Sequence, residues 1–269
     1  MMMKYSFMSF STPALSLSEI LATARLYGYD GIEPRIDSQH AHGIEVTTTA
    51  DQRCRIVEQV SVSGIELACL ASSIVLANPE KNDQMRQQAH ERIDLAGDLK
   101  VPIIRLFGGC FPEDFSRQQA SELLVQSLRQ LADHAAERQV CLCLETHDAW
   151  CNPEDVAVVM RQVNHPAVGV NWDIMHPVRI AKFTIEKSFE ILKPWIRHLH
   201  IHDGISTVNK LQFVSIGQGE IDHWAALQCL RTINYPDYLS GEWINWENYQ
   251  THLPREIKIM RQLEQQLDD

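Results

Sequence analysis

The chain has 269 residues, of which 45% are hydrophobic and 22% are charged, a composition typical of a soluble globular protein with a sizeable core. Its 24 Lys and Arg residues are outnumbered by 35 Asp and Glu residues, and the formal net charge of −11 disfavours binding to a nucleic-acid backbone. Seven cysteines, odd in number and mostly within apolar runs, indicate reduced thiols and therefore a cytoplasmic protein.

The first ten residues, MMMKYSFMSF, have neither the apolar segment nor the small-residue cleavage site of a signal peptide. No stretch of the chain approaches the roughly 20 consecutive apolar residues that a membrane span requires. We therefore expect no membrane partner.

Short apolar segments rich in β-branched residues alternate with longer amphipathic segments from one end of the chain to the other. This alternation is typical of βαβ units. We predict eight strands, at residues 4–10, 31–36, 65–71, 101–107, 140–146, 168–173, 196–203 and 238–244. We predict eight helices, at residues 16–27, 51–63, 82–98, 116–137, 154–163, 181–194, 222–233 and 254–267.

Eight strand and helix pairs in 269 residues, about 34 residues each, favour a (β/α)8 TIM barrel. No linker-like change in composition divides the chain, so we predict one domain over residues 1–269. The alternative is an open, doubly wound sheet, which normally carries a G-x-G-x-x-G phosphate-binding motif after its first strand. Here the first strand is followed by STPALSLSE, which contains no glycine.

Polar side chains occur at the carboxyl ends of the last four predicted strands. The fifth strand ends in Glu145, the sixth ends in Asp173, the seventh carries His200 and the eighth contains Glu242. These ends converge on one mouth of a TIM barrel, where three carboxylates would repel one another unless a cation lay among them. Each residue alone could be a helix cap or a salt-bridged rim residue, but that explanation is poor for all four together.

We therefore predict one divalent metal ion, Mn²⁺, Co²⁺, Mg²⁺ or Zn²⁺, because carboxylate and imidazole ligands without thiolates suit these ions. The HLHIHD segment offers three histidines on one strand face. We assign His200 as the ligand, since it lies nearest the end of the strand. His198 lies deeper and is interpreted as a hydrogen-bonded core histidine, whereas His202 lies at the rim, in contact with substrate or solvent.

Five motifs resemble those of the sugar phosphate isomerase/epimerase family, the xylose isomerase-like TIM barrels. They are ETHD (145–148), NWDIMH (171–176), HLHIHD (198–203), GQGEIDH (217–223) and SGEWI (240–244). The resemblance covers essentially the whole chain. It implies that Glu145, Asp173, His200 and Glu242 hold the ion, that Glu145 and Glu242 act as an acid and base pair, and that His176 contacts the oxygens of a small sugar, keto-sugar or polyol substrate.

The ketose 3-epimerases of this family resemble one another in a further Glu six residues after the first ligand, where this chain has Cys151. This departure weakens a ketose 3-epimerase assignment and makes His147 a substitute substrate contact. Lys210 lies in a loop where relatives place a basic residue for the substrate, although it could equally be a solvated lysine.

Arg35, at the end of the second strand, could bind a hydroxyl or acid group of the substrate. It could as easily pair with Glu33 or Asp37 at the rim.

Together these features predict an isomerase or epimerase that removes a proton beside a carbonyl through a metal-stabilised enediolate. A metal-dependent lyase, a dehydratase of inosose or dehydroshikimate type, is the alternative. An apurinic-type endonuclease is a minor alternative, disfavoured by the net charge and by the absence of histidine where strands three and four end. A non-catalytic binding protein would not need two glutamates beside the other ligands. The sequence is also compatible with a homo-oligomer.

Overall fold

The structure, a computed structural model, describes residues 2–207 and 211–267. Its strands are β1 (Lys4–Met8), β2 (Gly31–Glu33), β3 (Glu66–Leu67), β4 (Leu70–Val75), β5 (Ile103–Phe107), β6 (Cys141–Glu145), β7 (Val168–Asp173), β8 (Ile196–Ile201), β9 (Asp203–Ser206), β10 (Leu211–Val214) and β11 (Tyr238–Gly241). Its α-helices are α1 (Leu17–Tyr27), α2 (Ala50–Ser63), α3 (Asn82–Asp98), α4 (Arg117–Glu137), α5 (Pro153–Val163), α6 (Met175–Arg179), α7 (Ile185–Leu192), α8 (His223–Thr232) and α9 (Tyr249–Gln265).

Nine strands form one parallel sheet in the order β3-β2-β1-β11-β8-β7-β6-β5-β4. The two edge strands, β3 and β4, follow each other in one segment, residues 66–75, so the sheet closes on itself. The third strand, predicted over 65–71, is thus interrupted and extends further than expected. Just after β2, a parallel bridge between Arg35 and Ala71 of β4 joins the two ends of the sheet. The predicted (β/α)8 barrel is confirmed, with β9 and β10 forming a separate antiparallel hairpin after β8.

Local sequence determines where several helices begin. Thr49 and Ser116 cap α2 and α4 by accepting hydrogen bonds from the backbone N–H groups of Gln52 and Gln119, as expected of capping boxes. Asn152 caps α5, with Pro153 at its first position, where a missing N–H costs nothing.

Two of the predicted helices differ from those observed. The segment predicted as one helix over 181–194 is preceded by the short helix α6, and α7 begins only after the capping residue Thr184. The last helix begins at Tyr249 instead of residue 254, because Asn248 caps it by accepting from Gln250 N–H. Pro254 lies inside this helix.

The main apolar core lies between the strands and the surrounding helices, since alternate residues of each strand face outward. In β6, Leu142 and Leu144 belong to this core, whereas Cys143 belongs to a small separate cluster inside the barrel with Cys69 and Ile103. The barrel interior also contains many buried polar side chains: Ser6, Glu33, Arg105, Asn171, His198 and Ser240. Polar chemistry is therefore concentrated along the barrel axis.

In the part of the chain that the structure describes, no helix combines the length and the apolar character needed to cross a bilayer.

Candidate active site

The four predicted metal ligands converge at the mouth of the barrel. Glu145 ends β6, Asp173 ends β7, His200 lies in β8 and Glu242 directly follows β11. The register places Asp173 beside His200 and Ser240, which faces the same way as Glu242, beside His200 from the other side. All four side chains are buried.

The geometry of these four residues fits one ion. One donor atom from each lies within 4.8 Å of the others, and ligands about 2.0–2.4 Å from a shared ion cannot lie farther apart than about that distance. Asp173 Oδ2 and Glu145 Oε2 are buried without a well-aligned hydrogen bond among the described residues. Each oxygen has a cationic or imidazole neighbour, His202 or Arg105, but keeps lone pairs that a divalent cation would use.

The electrostatics of the cluster show how closely these charges interact. Burial alone would raise the pKa of Asp173, but His202 and His176 outweigh it and hold that pKa far below its usual range. Burial likewise opposes ionisation of Glu242, but the His200 charge lowers its pKa to about 2. Conversely, Glu33 and Glu145 raise the pKa of His200 well above its ordinary value despite burial. The carboxylates of Asp173 and Glu242 are thus held ionised, as metal ligands must be.

Glu33 lies beneath the cluster and was not among the predicted ligands. Its two carboxylate oxygens lie 2.8 Å from His198 Nε2 and 3.1 Å from His200 Nε2, and all three side chains are fully buried. His200 Nδ1 points the other way, 2.7 Å from Glu145 Oε1. The interpretation of His198 as a hydrogen-bonded core histidine agrees with this arrangement.

Arg105 is a second residue that sequence reasoning missed. It is 1% exposed, and its Nε lies 3.3 Å from Glu145 Oε2. Its guanidinium also donates to the Ser72 carbonyl at 2.8 Å and lies over the Phe107 ring. Burial would lower the pKa of Arg105, but Glu145 and Glu242 raise it overall, so the group is a fixed positive charge beside the cluster.

Three imidazoles predicted to contact substrate line the mouth. His176 lies between the other two, with ring centroids 4.3 Å from His147 and 5.9 Å from His202. His202 Nε2 lies 3.0 Å from Asp173 Oδ2, and His147 Nδ1 lies 2.8 Å from a carboxylate oxygen of Asp148. The structure brings these rings together beside the four-residue cluster.

Arg35 and Lys210 complete the predicted set. Arg35 is half-buried and pairs with neither Glu33 nor Asp37, because Glu33 contacts His198 and His200 and Asp37 pairs with Arg92. Lys210 lies outside the described residues.

Cys151 occupies the position where ketose 3-epimerases have a further glutamate. It is 4% exposed, and its thiol donates to the Asp148 carbonyl at 3.0 Å. Burial raises the pKa of this thiol to about 12, so it supplies no charged base there.

The chain is similar to known enzymes over nearly its whole length. It is 24% identical over 283 residues to the 3-dehydroshikimate dehydratase of Bacillus anthracis, with 96% of each chain covered. Its fold matches the structure of an L-ribulose 3-epimerase with a TM-score of 0.81, at 16% identity, covering 98% of this chain and 95% of the other. It also matches the IOLI protein, solved with a bound zinc atom, with a TM-score of 0.78, at 21% identity, covering 97% and 96%.

The family model for xylose isomerase-like TIM barrels matches residues 21–263. The fold, and the candidate metal cluster at the carboxyl ends of the strands, agree with that match. The chain therefore belongs to the xylose isomerase-like TIM barrel family.

Proposed function

We propose that the chain is a divalent-metal-dependent enzyme that removes a proton from a carbon beside a carbonyl group of a small hydroxylated substrate. The observation that carries this proposal is the buried cluster of Glu145, Asp173, His200 and Glu242 beneath a mouth lined by imidazoles. When bound there, the ion would polarise a carbonyl and stabilise negative charge on its oxygen by several kcal/mol.

We propose that Glu145 and Glu242 move the proton. Glu145 Oε1 lies 2.7 Å from His200 Nδ1 and Glu242 Oε2 lies 3.2 Å from the same atom, although β7 and β8 separate their strands in the sheet. They therefore reach the centre of the mouth from different sides. A carboxylate held ionised within hydrogen-bond reach of a substrate C–H can act as the base, and the second can return the proton.

Loss of a neighbouring hydroxyl, a dehydratase reaction, is the outcome we place first. The Bacillus anthracis relative, aligned over 96% of both chains, is a 3-dehydroshikimate dehydratase. The absence of a carboxylate at Cys151 supports this choice over ketose 3-epimerisation. Burial opposes protonation of His147, but Asp148 raises its pKa to about 9, so this imidazole can protonate a departing hydroxyl. We therefore propose 3-dehydroshikimate as the first substrate to test.

Isomerisation or epimerisation, the function predicted from the sequence, is the second candidate. The observation that favours it is the approach of Glu145 and Glu242 from opposite sides, which suits removal of a proton from one face and its return to another. Elimination and isomerisation share the first proton transfer. Elimination then expels a hydroxyl, which takes up a proton and leaves as water, whereas isomerisation returns the proton to carbon.

One experiment separates these outcomes. The Mn²⁺-loaded protein is incubated in D₂O with 3-dehydroshikimate, and separately with keto-sugars and an inosose, while NMR records deuterium at carbon and absorbance records aromatic product. Loss of water from 3-dehydroshikimate gives an aromatic ring, whereas isomerisation gives exchange without it. Finding neither aromatic product nor deuterium exchange with any of these substrates would contradict the proposal.

Replacing Glu145 or Glu242 with glutamine, with the metal at saturation, should slow exchange by about 10²–10⁴. The matched control is Glu154→Gln, an exposed glutamate in the first turn of α5, which should leave exchange unchanged. If both site variants exchange at the parent rate, neither glutamate is the base and the role passes to His147, His176 or His202.

A further inference from the structure

Arg35 follows Glu33 by two residues and faces the same way, toward the inside of the barrel and nearer its mouth. Alternate residues of a strand share a face and are about 6.6 Å apart, and the bridge between Arg35 and Ala71 shows that the extended backbone continues past the end of β2. The guanidinium of Arg35 bonds Ala71 and Ser73. These residues flank Ser72, whose carbonyl accepts from Arg105, so Arg35 lies near the candidate active site. Arg35 thus belongs to the mouth and not to the outer surface.

The guanidinium has donors to spare. Nη1 donates to the Ala71 carbonyl at 3.0 Å and also to the Ile36 carbonyl, and Nη2 donates to Ser73 Oγ. These bonds use three of the five N–H donors of an arginine. The Nε–H and one N–H of Nη2 have no hydrogen-bond acceptor among residues 2–207 and 211–267. The three existing bonds hold the guanidinium in a fixed orientation.

Arg35 also lacks a counter-charge. No described carboxylate lies within 4.0 Å of it, because the nearby acids are engaged elsewhere. Asp37 pairs with Arg92 at 2.7 Å and accepts from Ser73 N–H. The carboxylate of Glu45 accepts from three backbone N–H groups in the loop 37–39. A half-buried cation without a partner is costly, and a bound anion would offset that cost.

The charge state of Arg35 is compatible with this role. Burial, with the repulsion of Arg105, lowers the pKa of Arg35 to about 10, so the group remains protonated at neutral pH. Arg105 is the contrasting case, since Glu145 already lies 3.3 Å from it. Of the two arginines beside the cluster, Arg35 is the one whose charge is open to a ligand.

We infer that Arg35, held by Ser73 and Ala71, binds a carboxylate of the substrate, so that the substrate is a small hydroxylated acid and not a neutral sugar. The inference rests on the proposed function, because the neighbouring proton-transfer site is what makes a ligand of Arg35 a substrate. Two free N–H donors match one carboxylate. A phosphate dianion would be repelled more strongly than a carboxylate by the nearby acids Glu33, Glu145, Asp173 and Glu242.

The test is calorimetric binding to the Mn²⁺-loaded protein with two probes, shikimate and its uncharged methyl ester. A charge-assisted hydrogen-bonded pair contributes about ten- to a hundred-fold in affinity. We expect the parent protein to prefer shikimate by at least about ten-fold, and Arg35→Met to lose this preference while binding the ester within about two-fold of the parent. Arg35→Lys, which keeps the charge without the planar fork, should be intermediate.

Arg117→Met is the matched control. Arg117 is an exposed guanidinium at the start of α4 that already has a carboxylate partner, Asp155, at 3.6 Å. This variant should keep the parent preference for shikimate.

Equal affinity of the parent protein for the two probes, or unchanged shikimate binding by Arg35→Met, would overturn the inference. Tighter competition by inorganic phosphate than by acetate would overturn the choice of carboxylate. If Arg35→Met does not fold, the parent comparison and Arg35→Lys still decide. Because binding is measured without turnover, a preserved carboxylate preference without proton exchange would overturn the proposed function alone.

Discussion

Replacing Glu33 with glutamine should weaken metal binding although Glu33 is not itself one of the four proposed ligands. Both of its oxygens face imidazole Nε2 atoms, His198 at 2.8 Å and His200 at 3.1 Å. A carboxylate only accepts hydrogen bonds, so both Nε2 atoms carry hydrogen. A singly protonated His200 therefore presents the lone pair of Nδ1 to the ion. This is the common arrangement in which a carboxylate orients a metal-bound histidine.

A glutamine amide offers one acceptor oxygen and one donor nitrogen, so it can accept from only one of the two imidazoles. The other must turn or move its hydrogen to Nδ1. For His200, that hydrogen would face Glu145 and Glu242 in place of the lone pair that binds the ion. Loss of such an orienting partner typically lowers metal affinity by about 10- to 100-fold, which is about 1.4–2.7 kcal/mol. An unsatisfied buried donor would also lower the free energy of unfolding by about 1–3 kcal/mol.

The assay is calorimetric titration of the metal-free protein with Mn²⁺, together with urea unfolding of each variant. Glu45→Gln is the matched control, because Glu45 also accepts hydrogen bonds, but from backbone N–H groups of a loop outside the cluster. It should leave Mn²⁺ affinity unchanged. Parent affinity in Glu33→Gln would refute the argument from the His200 tautomer.

Three further outcomes are expected. Exhaustive chelation should abolish activity and added Mn²⁺ or Co²⁺ should restore it, because the ligands are hard or borderline donors; full activity after chelation would contradict the metal assignment. Burial holds the pKa of His252 at about 4, below its ordinary value of 6.5, so the unfolded chain binds more protons between these values. The free energy of unfolding should therefore fall as the pH drops from 6.5 to 4, less steeply in His252→Asn, and equal slopes would count against this. The carboxylate of Asp203 accepts four backbone N–H bonds, from Gly204, Gly217, Gly219 and Ile221. Asp203→Asn should therefore lower the free energy of unfolding in urea by about 1–3 kcal/mol. Asp133→Asn, at an exposed aspartate, is the control that should leave it unchanged.

The fold was predictable because each strand and each helix repeats the same simple pattern. Apolar runs alternating with amphipathic segments located most elements to within a few residues. The last helix, expected from residue 254, begins about a turn earlier, because Asn248 caps it.

The candidate site was predictable only where chemistry coincided with strand ends. Glu145, Asp173 and Glu242 interrupt apolar segments at the mouth, and the rule that strand ends converge then brought them together. Glu33 lies in the short segment GIEPR, where it was considered only as a rim partner for Arg35. Glu33 and Arg35 are two residues apart and therefore share one face of the strand. Which face of the strand points inward depends on how the barrel closes, and the sequence alone did not show that. Arg105, a charge in the middle of the apolar run VPIIRLF, was a second indication of a polar interior.

The position of the apolar core has an evolutionary consequence. The residues that stabilise the fold, such as Leu142 and Leu144, pack outward against helices, whereas the axis contains polar groups and only a small apolar cluster around Cys69. Substitutions along the axis can therefore alter which molecule is transformed without dismantling the scaffold. Proteins with this arrangement of helices and strands can therefore differ in chemistry while they keep the same apolar core.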